Sequence, residues 1–140
     1  MIIGKNDDLI KCIEILKSKK IKNIKLPVSA PFHCSLMKKA TEIMKKELDN
    51  VKFIDANKTL ISNVTAEEIS NKDILKKLLI DQIENRVRWR ESVINMINNG
   101  VNHFVEIGPG KVLSGLVKRI NKDVNIDTIN TENDIKELKI

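Results

Sequence analysis

The side chains of this chain that could do proton or nucleophile chemistry are few: two histidines, His33 and His103, two cysteines, Cys12 and Cys34, and scattered serines. His33 lies within Leu26-Pro27-Val28-Ser29-Ala30-Pro31-Phe32-His33-Cys34-Ser35-Leu36-Met37. The prolines at 27 and 31 hold their predecessors extended, and an amphipathic helix is expected from near Ser35. His33 is then at a helix N-terminus, where the positive end of the helix opposes a second positive charge on the ring and favours the neutral imidazole of a general base. On spacing alone two roles stay open, a capping or packing residue and a general base. Cys34 follows His33 directly, so the two side chains should diverge, which argues against a Cys-His dyad. His103, in a strand pattern, reads as a packed or half-exposed residue rather than a second base.

Two further stretches bear on the chemistry. Gly108-Pro109-Gly110-Lys111 opens a helical pattern and could cradle phosphate, but it lacks the Gly-x-x-x-x-Gly-Lys-Ser/Thr spacing, and a tight strand-to-helix turn accounts for both glycines. A nucleophile elbow requires Gly-x-Ser-x-Gly on such a turn, and no serine in the sequence has that context. Ser114 comes nearest, beside Gly115 and four after Gly110, but it lies inside a helical pattern. Neither cysteine belongs to a Cys-x-x-Cys pair, so reduced thiols are expected, with no metal.

The elements that must position these residues follow from periodicity. Met1 to Gly4 is a short apolar piece that reads as a first strand. Asn6 or Asp7 can cap a first helix bearing Leu9, Ile10, Ile13 and Leu16, and Asn23 to Val28 reads as a strand. Leu36, Ala40, Ile43, Met44 and Leu48 form one stripe of the next helix. A turn region around Lys52-Phe53-Ile54 precedes a strand at Leu60 to Thr65. Asp73 can cap a helix whose Ile74, Leu75, Leu78, Leu79 and Ile83 face inward, and Gln82, four residues after Leu78, shares that face. Arg86 to Asn99 reads as a helix closed by Gly100 in a left-handed turn. Val101 to Ile107 is a strand, Val112 to Ile120 a helix, Val124 to Ile129 a last strand, and a short charged tail begins at Glu132. Helices alternating with strands argue an α/β layered fold.

The chain has 140 residues, 41% hydrophobic and 31% charged, as expected of one globular domain. Its 25 Lys and Arg exceed 19 Asp and Glu, for a net charge of +6. Such a field suits an acidic partner, although most of these lysines fall on the polar faces of helices, where they are ordinary solvated charges. No apolar run approaches the length of a membrane span, and the sequence MIIGKNDD has no signal architecture, so a cytoplasmic protein is expected.

Three motifs, taken in order, carry a family resemblance. Val28 to Met37 resembles the histidine motif of malonyl-CoA:acyl carrier protein transacylases. Asp81-Gln82-Ile83-Glu84-Asn85-Arg86-Val87-Arg88-Trp89 resembles that family's Gln-Leu-x-x-Pro-Val-x-Trp run, with Arg86 where proline is usual. Phe104 to Leu113 is similar to its Glu-(Val/Ile)-Gly-Pro-Gly-Lys-Val-Leu segment. The resemblance spans nearly the whole chain and corresponds to the C-terminal part of the family's length. It implies the C-terminal portion of an α/β-hydrolase-like acyltransferase domain, with residues 1–32 belonging to a partial ferredoxin-like small subdomain and hinge, and residues 33–140 to the α/β acyltransferase subdomain. It implies His33 as the general base of a Ser-His dyad. The other ring nitrogen would be held by a main-chain carbonyl near the glutamine that aligns with Gln82, whose own side chain is either part of that orienting contact or simply polar at a helix edge.

The family's nucleophile, carboxylate-binding arginine and oxyanion glutamine belong to a portion that precedes this match. The implied substrates are malonyl-CoA and phosphopantetheinyl acyl carrier protein, with no cofactor. The implied partners are the carrier protein and a complementary N-terminal half, and the chain alone is expected to be inactive. A rival reading is a non-catalytic remnant or carrier-protein-binding module. A nucleic-acid binder is disfavoured by 3% aromatic content and the lack of a recognised motif. A filter-binding assay with a salt titration should accordingly give a flat response.

Overall fold

A computed structural model describes residues 2–28 and 30–138, so Ser29 of the histidine motif lies outside the described residues. The chain divides into two units, Met1–Leu60 with Ile69–Val87, and Ile61–Glu68 with Arg88–Ile140. The strands Leu60–Ile61 (β1) and Glu68–Ile69 (β2) pair with each other.

The first unit contains three α-helices, Asn6–Ser18 (α1), Lys38–Asp49 (α2) and Lys72–Asp81 (α3), with a 3-10 turn at Ser35–Met37 leading into α2. α2 packs against α3. Lys76 of α3 reaches Asp49 at 2.9 Å and lies over the ring of Phe53. Among the described residues of this unit none is fully buried. Ile24, Val28 and Phe32 are exposed by 76%, 68% and 53%, so this apolar surface has little to cover it.

Several expected boundaries move, each for a local reason. Asn23 to Val28 is not a strand: the Val28 amide bonds back to the Leu26 carbonyl at 2.9 Å, a tight turn that a ladder strand does not make, and the segment has no strand partner among the described residues. Nor is the apolar start a strand at residues 2–4. Lys5, rather than Asn6 or Asp7, sits at the N-cap of α1, and no side chain caps it. Asn71, rather than Asp73, caps α3, its side-chain Oδ1 accepting from the Asp73 and Ile74 amides at 2.9 and 3.0 Å. Ile74 of α3 is half exposed rather than inward.

The second unit is built on a parallel pair, His103–Ile107 (β3) and Asn125–Ile129 (β4), in register Phe104 to Ile126 and Val105 to Asp127. The connection between parallel strands has to cross back, and Val112–Ile120 (α5) makes that crossing. Trp89–Asn98 (α4) packs on α5. Val93, Val117 and Val124 are almost wholly removed from water, with Trp89, Met96, Ile97, Phe104, Ile120 and Ile126 around them.

α4 starts at Trp89 rather than at Arg86, because the Arg88 amide and guanidinium are spent on the Asn63 and Thr65 carbonyls, at 2.8 and 2.9 Å. It ends as expected on Gly100 at φ +89, with the Gly100 and Val101 amides returning to the Ile97 and Met96 carbonyls at 3.0 Å. The expected strand at Leu60 to Thr65 stops after two residues: the Ser62 hydroxyl accepts from the Val64 amide at 3.1 Å and turns the chain. The charged tail is a sixth helix, Glu132–Glu137 (α6), started by a Thr131-Asp134 capping box.

Because the first unit lacks a fully buried residue among those described, the isolated chain should raise the fluorescence of a hydrophobic dye at native conditions. A cooperatively melting monomer without dye binding would show that its apolar surface is covered.

Candidate active site

An α-helix ends with carbonyls that have no partner inside it, and the fate of those carbonyls at the end of α3 determines where His33 sits. The Asp81 carbonyl is taken by the Asn85 amide at 3.0 Å, the Asn85 side-chain Nδ2 at 2.7 Å and the Glu84 amide at 3.3 Å. The next two carbonyls face His33. The His33 amide donates to Ile83 O at 3.1 Å, and its Nδ1 lies 2.8 Å from Gln82 O. A carbonyl only accepts, so Nδ1 bears the proton and, in the neutral ring, Nε2 is the nitrogen with the open lone pair.

Gln82 is thus the C-cap of α3 rather than a residue of its buried face, and the atom that reaches the imidazole is its main-chain oxygen. His33 itself has φ +62. That left-handed backbone costs a residue with a Cβ about 1–2 kcal/mol. Two hydrogen bonds, worth about 0.5–1.5 kcal/mol each, offset it. The α-helix begins only at Lys38, after the 3-10 turn, so the carbonyl and not a helix terminus sets the tautomer.

Cys34 turns away from the ring and its thiol donates to the Pro31 carbonyl at 3.1 Å. Both cysteines are free thiols. His33 borders an open apolar groove of about 1000 Å³ within the first unit, lined by Ile3, Leu9, Cys12, Ile13 and Phe32 among others. Lys5, Asn6, Asn23 and Lys25 also line it, so the imidazole borders a wall that is mainly but not wholly apolar.

The remaining candidates lie in the second unit. Gly108 and Gly110 have φ of +137 and +94, values that glycine alone adopts without strain, as a tight turn requires. The amides that a phosphate would need are occupied: Glu106 accepts from the Leu113 amide at 3.1 Å through Oε1 and from the Ser114 amide at 2.7 Å through Oε2. The Gly110 amide donates to the Asn130 side chain at 2.6 Å. Ser114 lies in the first turn of α5 with its hydroxyl buried, which does not suit an exposed nucleophile.

The Ser114 hydroxyl beside Glu106, then the Ser114 and Leu113 amides, hold the Glu106 carboxyl below the usual glutamate range, although that hydroxyl makes no hydrogen bond of good geometry. His103 is not idle either: its Nε2 lies 2.7 Å from Asp127 Oδ2 on the neighbouring strand. Two residues along β4 from the register partner of His103 is a pairing that the sequence pattern did not reveal.

The mixed α/β arrangement matches solved acyl-carrier-protein S-malonyltransferases. One from Bartonella henselae is 40% identical with a TM-score of 0.86, over 96% of this chain and 43% of that protein. A malonyl-transacylase solved in complex with its type II PKS acyl-carrier protein is 30% identical with a TM-score of 0.83, over 95% of this chain and 43% of that one. No protein-family model matches.

Among curated proteins, the malonyl CoA-acyl carrier protein transacylase of Staphylococcus aureus strain COL is 38% identical over 130 residues, 93% of this chain. The chain is therefore a homologue, over nearly all of its own length, of malonyl CoA-acyl carrier protein transacylases, and it spans about two fifths of the curated relatives that it matches.

Glu106 and Asp134 give the second unit a definite response to acid. The Asn130 and Thr131 amides lower Asp134 as the Ser114 and Leu113 groups lower Glu106. A carboxyl held low in the folded state contributes stability above its ordinary range, and that contribution disappears as pH falls through the folded value. Thermal melts should therefore lose stability on acidification. Glu106→Gln should lower the melting temperature at neutral pH and flatten that acid limb.

Proposed function

We propose that this chain is the C-terminal part of a malonyl-CoA:acyl carrier protein transacylase of fatty-acid biosynthesis, in which His33 is the general base of a Ser-His dyad. The observation that carries this reading is the 2.8 Å contact between His33 Nδ1 and the Gln82 carbonyl, which leaves Nε2 as the acceptor. The sequence holds no Gly-x-Ser-x-Gly, so the serine belongs to a complementary N-terminal half, together with the carboxylate-binding arginine and the oxyanion glutamine. In this reading residues 1–32 form part of a ferredoxin-like small subdomain and residues 33–140 belong to an α/β-hydrolase-like body. The apolar groove of the first unit is where the complementary half would be expected to cover exposed surface.

The reaction follows from these roles. Nε2 of His33 takes the serine proton as the hydroxyl oxygen attacks the malonyl thioester, the carbon-sulfur bond breaks, and the proton passes to the departing CoA thiolate. The same nitrogen then deprotonates the phosphopantetheine thiol of the acyl carrier protein. That thiolate attacks the malonyl ester, and the proton returns to the serine oxygen. A main-chain carbonyl holds the ring without adding a negative charge, so the imidazolium formed in each half-reaction is stabilised less than it would be by a buried carboxylate.

Members of a dyad act as a unit, so the base without its nucleophile should not form a malonyl-enzyme. Mass spectrometry of the isolated chain with malonyl-CoA should show no adduct. An adduct on Ser114 or Cys34 would place the nucleophile here instead. Co-expression with a polypeptide carrying the serine, arginine and glutamine should restore transfer to carrier protein. His33→Ala in that complex should cut transfer by on the order of a hundred- to ten-thousandfold.

A further inference from the structure

We propose that Asn85 is a positioning residue for His33, acting through the way it ends α3. This rests on the role just given to His33. An α-helix continued through this region would pair the Gln82 carbonyl with the amide of residue 86 and the Ile83 carbonyl with that of residue 87. Those are the two oxygens that hold His33. The base can be held only if the helix stops just before them.

The Asn85 side chain supplies the stop. Its Nδ2 donates to the Asp81 carbonyl at 2.7 Å, the shortest of the three bonds that this oxygen accepts, while its own amide donates to the same oxygen at 3.0 Å. The last turn is thereby closed onto Asp81, and residues 86–88 leave the helical path. The last of these, Arg88, donates its amide to the Asn63 carbonyl rather than back into the helix. Asparagine suits the task because its amide sits one carbon beyond Cβ, short enough to return to the carbonyl four residues earlier. Asn85 is exposed and does not line the groove, and the proposed effect passes through the Gln82 and Ile83 oxygens. Where the related motif has proline at the following position, the competing amide is absent altogether. This chain carries Arg86 there.

The test reads the ring itself. In the full chain labelled with nitrogen-15 at histidine, long-range proton-nitrogen spectra should show His33 in the Nδ1–H form. Asn85→Asp, which keeps the shape but removes the donor, and Asn85→Ala should each lose most of that population to the Nε2–H form. His103, paired with Asp127, should be unchanged. Adding Arg86→Pro to Asn85→Ala, which removes the amide of residue 86, should restore the Nδ1–H form. An unaltered His33 in both single variants, a change at His103 as large as that at His33, or a failure of proline to restore the tautomer would each overturn the proposal. The readout needs no turnover, so it stands apart from the reconstitution assay: loss of the tautomer effect refutes Asn85, whereas undiminished transfer by His33→Ala refutes the general base.

Discussion

A histidine can accept a proton productively only if something fixes which of its nitrogens already carries one, and here that something is the frayed end of a helix. The two carbonyls past Asp81 are the groups that α3 cannot satisfy for itself. One takes the backbone amide of His33 and the other takes its ring, so the residue is held at two points in a left-handed conformation that it would not otherwise favour. The arrangement serves both sides. The helix end finds donors, and the imidazole acquires one tautomer from a main-chain oxygen. A change in how α3 terminates would therefore reach His33 without touching it.

The legibility of this site in the sequence was uneven for definite reasons. His33 stood out because Pro27 and Pro31 restrict the approach to it, and such restrictions are local and readable. Gln82 was legible through the family resemblance, which implies a main-chain carbonyl near it as the orienting contact, whereas periodicity spoke only of its side chain and cannot report a backbone oxygen. Asn85 carried no periodic signal at all. The glycines at 108 and 110 were readable as a turn because positive φ is a backbone demand, whereas Glu106, whose carboxylate occupies the amides that follow, was hidden because it caps a helix from a neighbouring strand.

The fold shows the same division between local and distant causes. The strands β3 and β4 were evident one by one because their apolar runs pack around Val93 and Val117 of α4 and α5, which are covered nearly completely, whereas their parallel pairing was not read from the sequence. The segment Asn23 to Val28 has strand-like composition and yet forms no ladder, since a strand is defined by a partner and composition supplies none. The last helix went unread although Thr131 and Asp134 spell a capping box, because a run of charge from Glu132 onward reads as solvated tail unless the cap is weighed first.

The short turn from Ser62 to Ala66 has a consequence for synthesis. Three of its carbonyls are held by residues that come much later, Asn63 and Thr65 by Arg88 and Ala66 by Asn95. The residues on either side of Ile61–Glu68 belong to the other unit. As the polypeptide leaves the ribosome, this hairpin therefore emerges with only its own local bonds, such as the Ala66 amide to the Ser62 carbonyl at 2.8 Å, and the other carbonyls wait until Arg88 and Asn95 have followed it out. The loop that then closes is paid for in chain entropy that grows only slowly with length. The order of translation thus delays the second unit until α4 is out, and slow codons between the turn and Arg88 would prolong the interval in which the Asn63, Thr65 and Ala66 carbonyls wait for their donors.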